Sequence, residues 1–227
     1  MKTLLLGFLM LGCVASALAI TPQELDARIA KLADKLDALQ DKPDKRIPAG
    51  TLAKAKGVIL LDRTKAGFIF AYQGGGGVAM VKDASGHWSP VAFVSANEAS
   101  LGLQIGGEQN FYVILLMSTN ATKSLTDSTI DFGGEARGTG GNRSEGKEAN
   151  FTAEPAVQIY ADRTGVFGAA AIKGGAIGPD EKANVAYYHQ ALTMRDILFA
   201  QKVKPSEAAT NLAKKLDDYA KSESGKK

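Results

Sequence analysis

Few side chains in this chain suit catalysis, and they are scattered. The two histidines, His87 and His189, are the available imidazole bases. His87 stands in a turn beside Trp88, and His189 follows Tyr187-Tyr188 near a helix end. Each is more often a packed or exposed histidine than a general base, and two histidines far apart with no cysteine make a poor transition-metal set. Adjacent carboxylates occur at Asp217-Asp218 on the last helix, where sequence neighbours do not face each other. Gly74-Gly75-Gly76-Gly77 invites a phosphate-loop reading, but a helix should follow it, and Val78-Ala79-Met80-Val81 reads as a strand. A hairpin turn is expected there instead. No Gly-x-Ser-x-Gly, Walker or His-Glu-x-x-His pattern is present. The better candidate is the glycine-rich stretch 133–150. Its backbone N–H groups could converge on an anion, with Arg137, Arg143 and Lys147 adding charge and Glu145 and Glu148 offsetting it. The same stretch also reads as a plain solvated loop.

The elements that must position these residues follow from periodicity. Thr21-Pro22-Gln23-Glu24 carries a capping box with proline at the first helical position. Leu25, Ile29, Leu32, Leu36 and Leu39 then form one apolar seam, and Pro43 and Pro48 bound the helix. Charges from Glu24 to Arg46 balance at six of each sign, unlike a membrane-surface helix. The seam is expected to pack on the protein's own body or on a second copy. From Gly57 short β-branched and aromatic runs predict strands at 58–61, 67–72, 78–81, 91–94, 101–105 and 111–117, with a turn at 83–86. A short helix capped by Asn120, with Ala121, Leu125 and Ser128 inward, is expected over 120–128. Further strands are expected at 129–132, 156–160 and 166–170. Helices follow at 180–190, 193–199 and 205–223, the last striped by Ala209, Leu212, Leu216 and Tyr219. The fold class is α+β, a mainly antiparallel β-sheet of many short strands packed with N-terminal and C-terminal helices.

The beginning of the chain bears on location. Met1-Lys2, an apolar stretch to Ser16 and Ala17-Leu18-Ala19 match a signal peptide over 1–19, with Ile20 the expected first mature residue. The apolar stretch is shorter than the roughly 20 residues a spanning helix needs. A lipid on Cys13, after Gly12, is the alternative. Cys13 is the one cysteine, so removal of the leader would leave no thiol for disulfide, zinc or nucleophile. Cleavage also removes Lys2, leaving 26 basic and 24 acidic residues, a balance too even to hold a bilayer without a concentrated patch. Organisation is expected as the leader, an N-terminal helix and linker over 20–47, one domain over 48–220 and a frayed tail over 221–227.

Several ordered motifs resemble a known family, the SYLF domain. They are Ala55-Lys56-Gly57-Val58-Ile59, Lys65-Ala66-Gly67-Phe68, the glycine run leading to Trp88-Ser89-Pro90, and Gly102-Leu103-Gln104-Ile105-Gly106-Gly107. Tyr160 with Gly165-Val166-Phe167-Gly168, then Asn184-Val185-Ala186-Tyr187-Tyr188 and a closing helix from Pro205 to Leu216, complete the set. The resemblance covers about 48–216 and implies lipid binding without catalysis. Eukaryotic members bind phosphoinositides, fungal ones bind actin, and secreted bacterial ones look like envelope proteins with affinity for phospholipid. Trp-Ser-Pro is one residue shorter than the family's usual form, and its Gly-Pro-x-Gly-Arg loop is only loosely echoed at 138–143. The matched glycines, Trp88 and Tyr188 read as scaffold, the aromatics as core residues with satisfied polar atoms.

The resulting expectation is an exported periplasmic or cell-envelope protein that binds anionic phospholipid head groups through Arg137, Arg143 and Lys147. It is expected to need no cofactor, metal or nucleic acid and to form possible homo-oligomers; actin is an unlikely partner for an exported protein. The alternatives are an interaction module pairing through the leucine seam and a hydrolase-like enzyme using His189 or His87.

Overall fold

A computed structural model describes residues 20–64, 75–96, 109–127, 130–131, 156–161 and 176–222. Helix α1 (Pro22–Gln40) begins with the expected box. The Glu24 backbone N–H donates to Thr21 Oγ1 (3.3 Å), and the Thr21 N–H donates to the Glu24 carboxylate (2.8 Å). That amide is the main reason the Glu24 carboxyl titrates below its usual range. Helix α2 (Ala49–Lys54) follows, then β1 (Gly57–Thr64), β2 (Gly75–Val81), β3 (Ala92–Ala96) and β4 (Gln109–Leu116). Next come α3 (Thr119–Lys123), a 3-10 turn over Ser124–Thr126, β5 (Ile130–Asp131), β6 (Val157–Ala161) and β7 (Ala176–Pro179). Helices α4 (Glu181–Tyr188), α5 (Met194–Leu198) and α6 (Glu207–Lys221) close the chain.

The described strands form one sheet, ordered β5-β7-β3-β2-β1-β4-β6, with every neighbour antiparallel. The α+β expectation is met. Both faces are covered, which explains why strands such as Val58-Ile59-Leu60-Leu61 read as unbroken apolar runs without alternation. On one face Val58, Leu60, Val78, Met80, Phe93, Val113 and Leu115 pack against α1 and α6. On the other, Ile59, Leu61, Ala79, Val94, Ile114 and Leu116 pack against Leu125 of the 3-10 turn and Met194, Ile197 and Leu198 of α5.

The leucine seam of α1 is wholly internal. Leu25, Ile29, Leu32, Leu36 and Leu39 are each at most 1% exposed and share one core with Ala209, Leu212 and Leu216 of α6. Ion pairs fasten its polar sides. Lys31 and Lys35 both reach Asp62 (3.1 and 2.7 Å), Arg28 reaches Asp180 (3.3 Å), and Lys215 and Tyr219 both bond Asp37. The seam therefore belongs to the protein's own body, which removes the surface the partner-helix alternative required.

Three details differ from expectation. Gly75, Gly76 and Gly77 are strand residues of β2, not a hairpin turn. A Cβ on Gly77 would lie 2.3 Å from the Leu60 carbonyl oxygen, so Gly77 marks a close strand approach. Helix α3 is capped by Ser118, whose hydroxyl accepts from the Ala121 N–H (3.1 Å), and not by Asn120. Both residues suit a cap, and the strand's end at Leu116 selects the earlier one. Helix α2 and strand β7 are too short for periodicity to announce. The strands expected at 67–72, 101–105 and 166–170 lie outside the described residues.

Candidate functional site

The polar residues that the fold brings together centre on α4, within Asn184-Val185-Ala186-Tyr187-Tyr188. Asp180 caps this helix by accepting from the Ala183 N–H (3.1 Å). Asn184, 2% exposed, faces β3, where its Oδ1 accepts from the Phe93 N–H (2.8 Å) and its Nδ2 donates to the Phe93 carbonyl (3.0 Å). An asparagine side chain thereby continues the ladder beyond β7, which ends at Pro179 opposite Val94. Tyr188 donates to the Val91 carbonyl (2.5 Å). Tyr187 turns the other way and donates to Asp26 of α1 (2.5 Å), with Ser206 Oγ 2.5 Å from its oxygen and 3.1 Å from the same carboxylate. Phe93, Tyr187 and Tyr188 stack edge to face at 5.0 Å.

Burial, reinforced at Tyr187 by the Asp26 carboxylate, pushes both phenols far above their ordinary range. They are neutral donors at any physiological pH. This cluster ties α1, β3, α4 and α6 into one body; its hydroxyls point at protein partners, and none is activated as a nucleophile. Trp88 follows the same logic, its indole N–H donating to Asp217 (2.9 Å) while Lys82 Nζ lies 4.6 Å from its ring centroid. The scaffold roles expected for Trp88 and Tyr188 are observed. So is the tight packing at Gly57, where a Cβ would lie 2.9 Å from Thr122 Cγ2.

The histidines are not brought together. His87 is 82% exposed and lies 3.8 Å from Asp83. His189 is the C-cap of α4 in the left-handed region (φ 54°). Among the described residues no group of three or more His, Cys, Asp or Glu is placed to hold a metal. Arg137, Arg143 and Lys147 lie outside the described residues, between the end of β5 and the start of β6.

Two concavities were not foreseen. A cleft of about 600 Å³ opens between β7, α4 and the start of α5, with Asp127 and Glu181 among its walls and no basic residue among the described residues that line it. A groove of about 480 Å³ runs between α1 and α6 over Ala27, Ala30 and Ala208. The acidic character of the first argues against an anionic head group there.

At the surface, the large apolar side chains left exposed among the described residues are Val185 (45%) and Phe199 (38%). Phe199 ends α5 in a loop held by backbone bonds. Its N–H and that of Ala200 donate to the Arg195 carbonyl (3.1 and 2.9 Å), and the Lys202 N–H donates to the Asp196 backbone carbonyl (2.9 Å). Gln201 takes the left-handed φ of 46° that this closure requires. Asp196 pairs with Lys202 (2.8 Å) and caps α5 through Thr193, the bonds that lower its carboxyl to about 2. Arg195, Lys202 and Lys204 are all exposed around this loop. Nothing in the sequence distinguishes Phe199 from a core aromatic, because its exposure depends on where α5 stops.

Comparison with known proteins places this framework. A family model described as the Las17-binding protein actin regulator, Ysc84, matches residues 97–219. Human SH3 domain-containing YSC84-like protein 1 is 31% identical over 181 residues, covering 78% of this chain and 52% of the human protein. From Saccharomyces cerevisiae, LAS seventeen-binding protein 3 (30% identical) and Protein YSC84 (31%) each align over 182 residues, 78% of this chain and 39% of their own length. The chain thus spans about half the length of its human relative and less of the yeast ones. With a family model matching more than half of its residues and a core in which the SYLF motifs serve as packing and capping elements, the chain belongs to the Ysc84 (SYLF) family.

Proposed function

We propose that this protein is a non-catalytic module of the cell envelope that is exported by its N-terminal leader and binds phospholipid through anionic head groups. The observation that carries the reading is the α5–α6 loop, which exposes Phe199 on the same short segment as the exposed Arg195, Lys202 and Lys204. An aromatic side chain held at the surface beside cations suits a membrane interface, where the ring enters the acyl boundary and the cations meet head groups. Each cation near an anionic surface contributes about 1 kcal/mol, and partial burial of one phenyl ring adds about 1 kcal/mol. With Lys202 already paired to Asp196, the two remaining cations and the ring total about 3 kcal/mol, an affinity weaker than millimolar. Binding by this loop is therefore weak, salt-sensitive and dependent on anionic lipid content.

Co-sedimentation of the chain from Ile20 with vesicles of varied anionic content and salt tests this. Binding should rise with anionic lipid, fall with salt, and drop several-fold in Phe199→Asp. Absence of binding to any vesicle would remove the lipid reading. The sequence-derived site is tested in the same assay with Arg137→Glu and Arg143→Glu together. Actin stands outside the proposal because an exported protein does not meet it; pelleting with filamentous actin checks that directly.

A further inference from the structure

The register of the sheet sets two lysines against each other. Gly57 pairs with Val81, so Lys56 and Lys82 are the next opposed positions across β1 and β2, and the Lys82 N–H donates to the Lys56 carbonyl (2.8 Å). Lys82 also forms a bridge with Trp88 on its other side. A row of Trp88, Lys82 and Lys56 thus crosses one end of the sheet. Like charges directly opposed across strands destabilise a sheet, and opposed Cβ atoms are only about 5 Å apart.

The local compensation is partial. Asp217 is the carboxylate beside Lys82, and one of its oxygens already accepts the Trp88 indole N–H. Asp83, the next residue along, is engaged by the backbone N–H groups of Ser85 and His87 (2.8 and 2.9 Å). Lys56 is exposed and makes no ion pair with any carboxylate of the described residues. Burial holds the Lys82 ammonium below its usual range, repulsion from Lys56 adds to this, and Asp217 opposes it. A doubly charged anion between the two ammonium groups would reverse both penalties.

We propose that Lys56 and Lys82, opposed across β1 and β2 beside Trp88, form a binding site for a phosphate-ester anion. A phosphate monoester matches two ammonium groups in charge and offers three acceptor oxygens to bridge them. The phosphate could belong to a lipid head group or to a free ester; the lipid source rests on the reading above, and the site itself does not.

Trp88 is the sole tryptophan, so its emission reports the site directly. The experiment titrates purified protein with inorganic phosphate against chloride at equal ionic strength, then with zwitterionic vesicles with and without phosphatidic acid. The expected result is a saturable change in Trp88 emission with phosphate, weakened at least tenfold in Lys56→Gln, which does not touch the ring, and retained in Lys56→Arg. A change no larger than that in chloride, or one that survives in Lys56→Gln, overturns the site. A response to phosphate but to no vesicle upholds the site and discards lipid as its source. Vesicle co-sedimentation that is equal in wild type and Lys56→Gln, with Trp88 unresponsive, overturns the site and leaves the lipid reading standing.

Discussion

Replacing Asn184 by alanine should cost far more than its position on a short surface helix implies. The side chain makes two bonds to one buried residue, Phe93, which is itself 0% exposed. Truncation removes both. The Phe93 carbonyl keeps the Asp180 N–H at 2.9 Å, whereas the N–H of fully buried Phe93 loses Asn184. Two lost bonds at about 1 kcal/mol each, or one lost bond plus an orphaned buried donor at about 1–3 kcal/mol, give about 2–4 kcal/mol. In urea unfolding, with m near 2 kcal/mol/M, a loss of about 3 kcal/mol moves the midpoint by about 1.5 M at unchanged slope. A shift below about 0.5 M would refute the view that α4 is clamped to β3 through this amide. Asn184→Asp sharpens the test. Burial raises the folded pKa of the new carboxyl above its unfolded value of about 3.9. The penalty is then full above the folded pKa, fades as pH falls from the folded pKa to the unfolded one, and is gone below it, because the protonated acid regains a donor for the Phe93 carbonyl.

Two other perturbations probe the frame. Leu32, 1% exposed, sits mid-seam, so Leu32→Lys forfeits about 2–5 kcal/mol of packing and buries an ammonium. The thermal midpoint should collapse; a wild-type mass that halves by light scattering while the midpoint holds would instead make the seam an interface between copies. Asp196 has its carboxyl lowered from 3.8 to about 2, chiefly by Lys202 and then by Thr193. Its contribution is therefore present above about 3.8 and lost as pH falls through about 2, and Asp196→Asn should flatten that part of the acid unfolding curve.

The α4 cluster shows how SYLF-like motifs of this chain serve as packing and capping elements. Asn184 completes a β-ladder, Tyr188 satisfies a strand carbonyl, and Tyr187 joins α1 to α6 through Asp26 and Ser206. Each hydroxyl or amide is used up in holding the body together, and chemistry at the surface is left to cations and the few exposed apolar groups.

Local patterns were enough to read much of this chain. The capping box at Thr21, the seam from Leu25 to Leu39, the apolar runs of β1 and β4 and the stripe of α6 are all short-range signals. Each depends on one element's own period or cap, so sequence alone determined helix, strand and fold class. What it left undecided depends on register and on partners distant in the chain. Gly77 reads as a turn until the Leu60 carbonyl is found against it, and the seam of α1 fits a second copy until α6 is seen beneath it. Lys56 and Lys82 are unremarkable basic residues until antiparallel pairing sets them opposite each other. Phe199 closes the helix expected over 193–199, and only the end of α5 at Leu198 leaves it outside. Tertiary structure decided these points, because burial and opposition are properties of pairs of elements, and no single segment carries them.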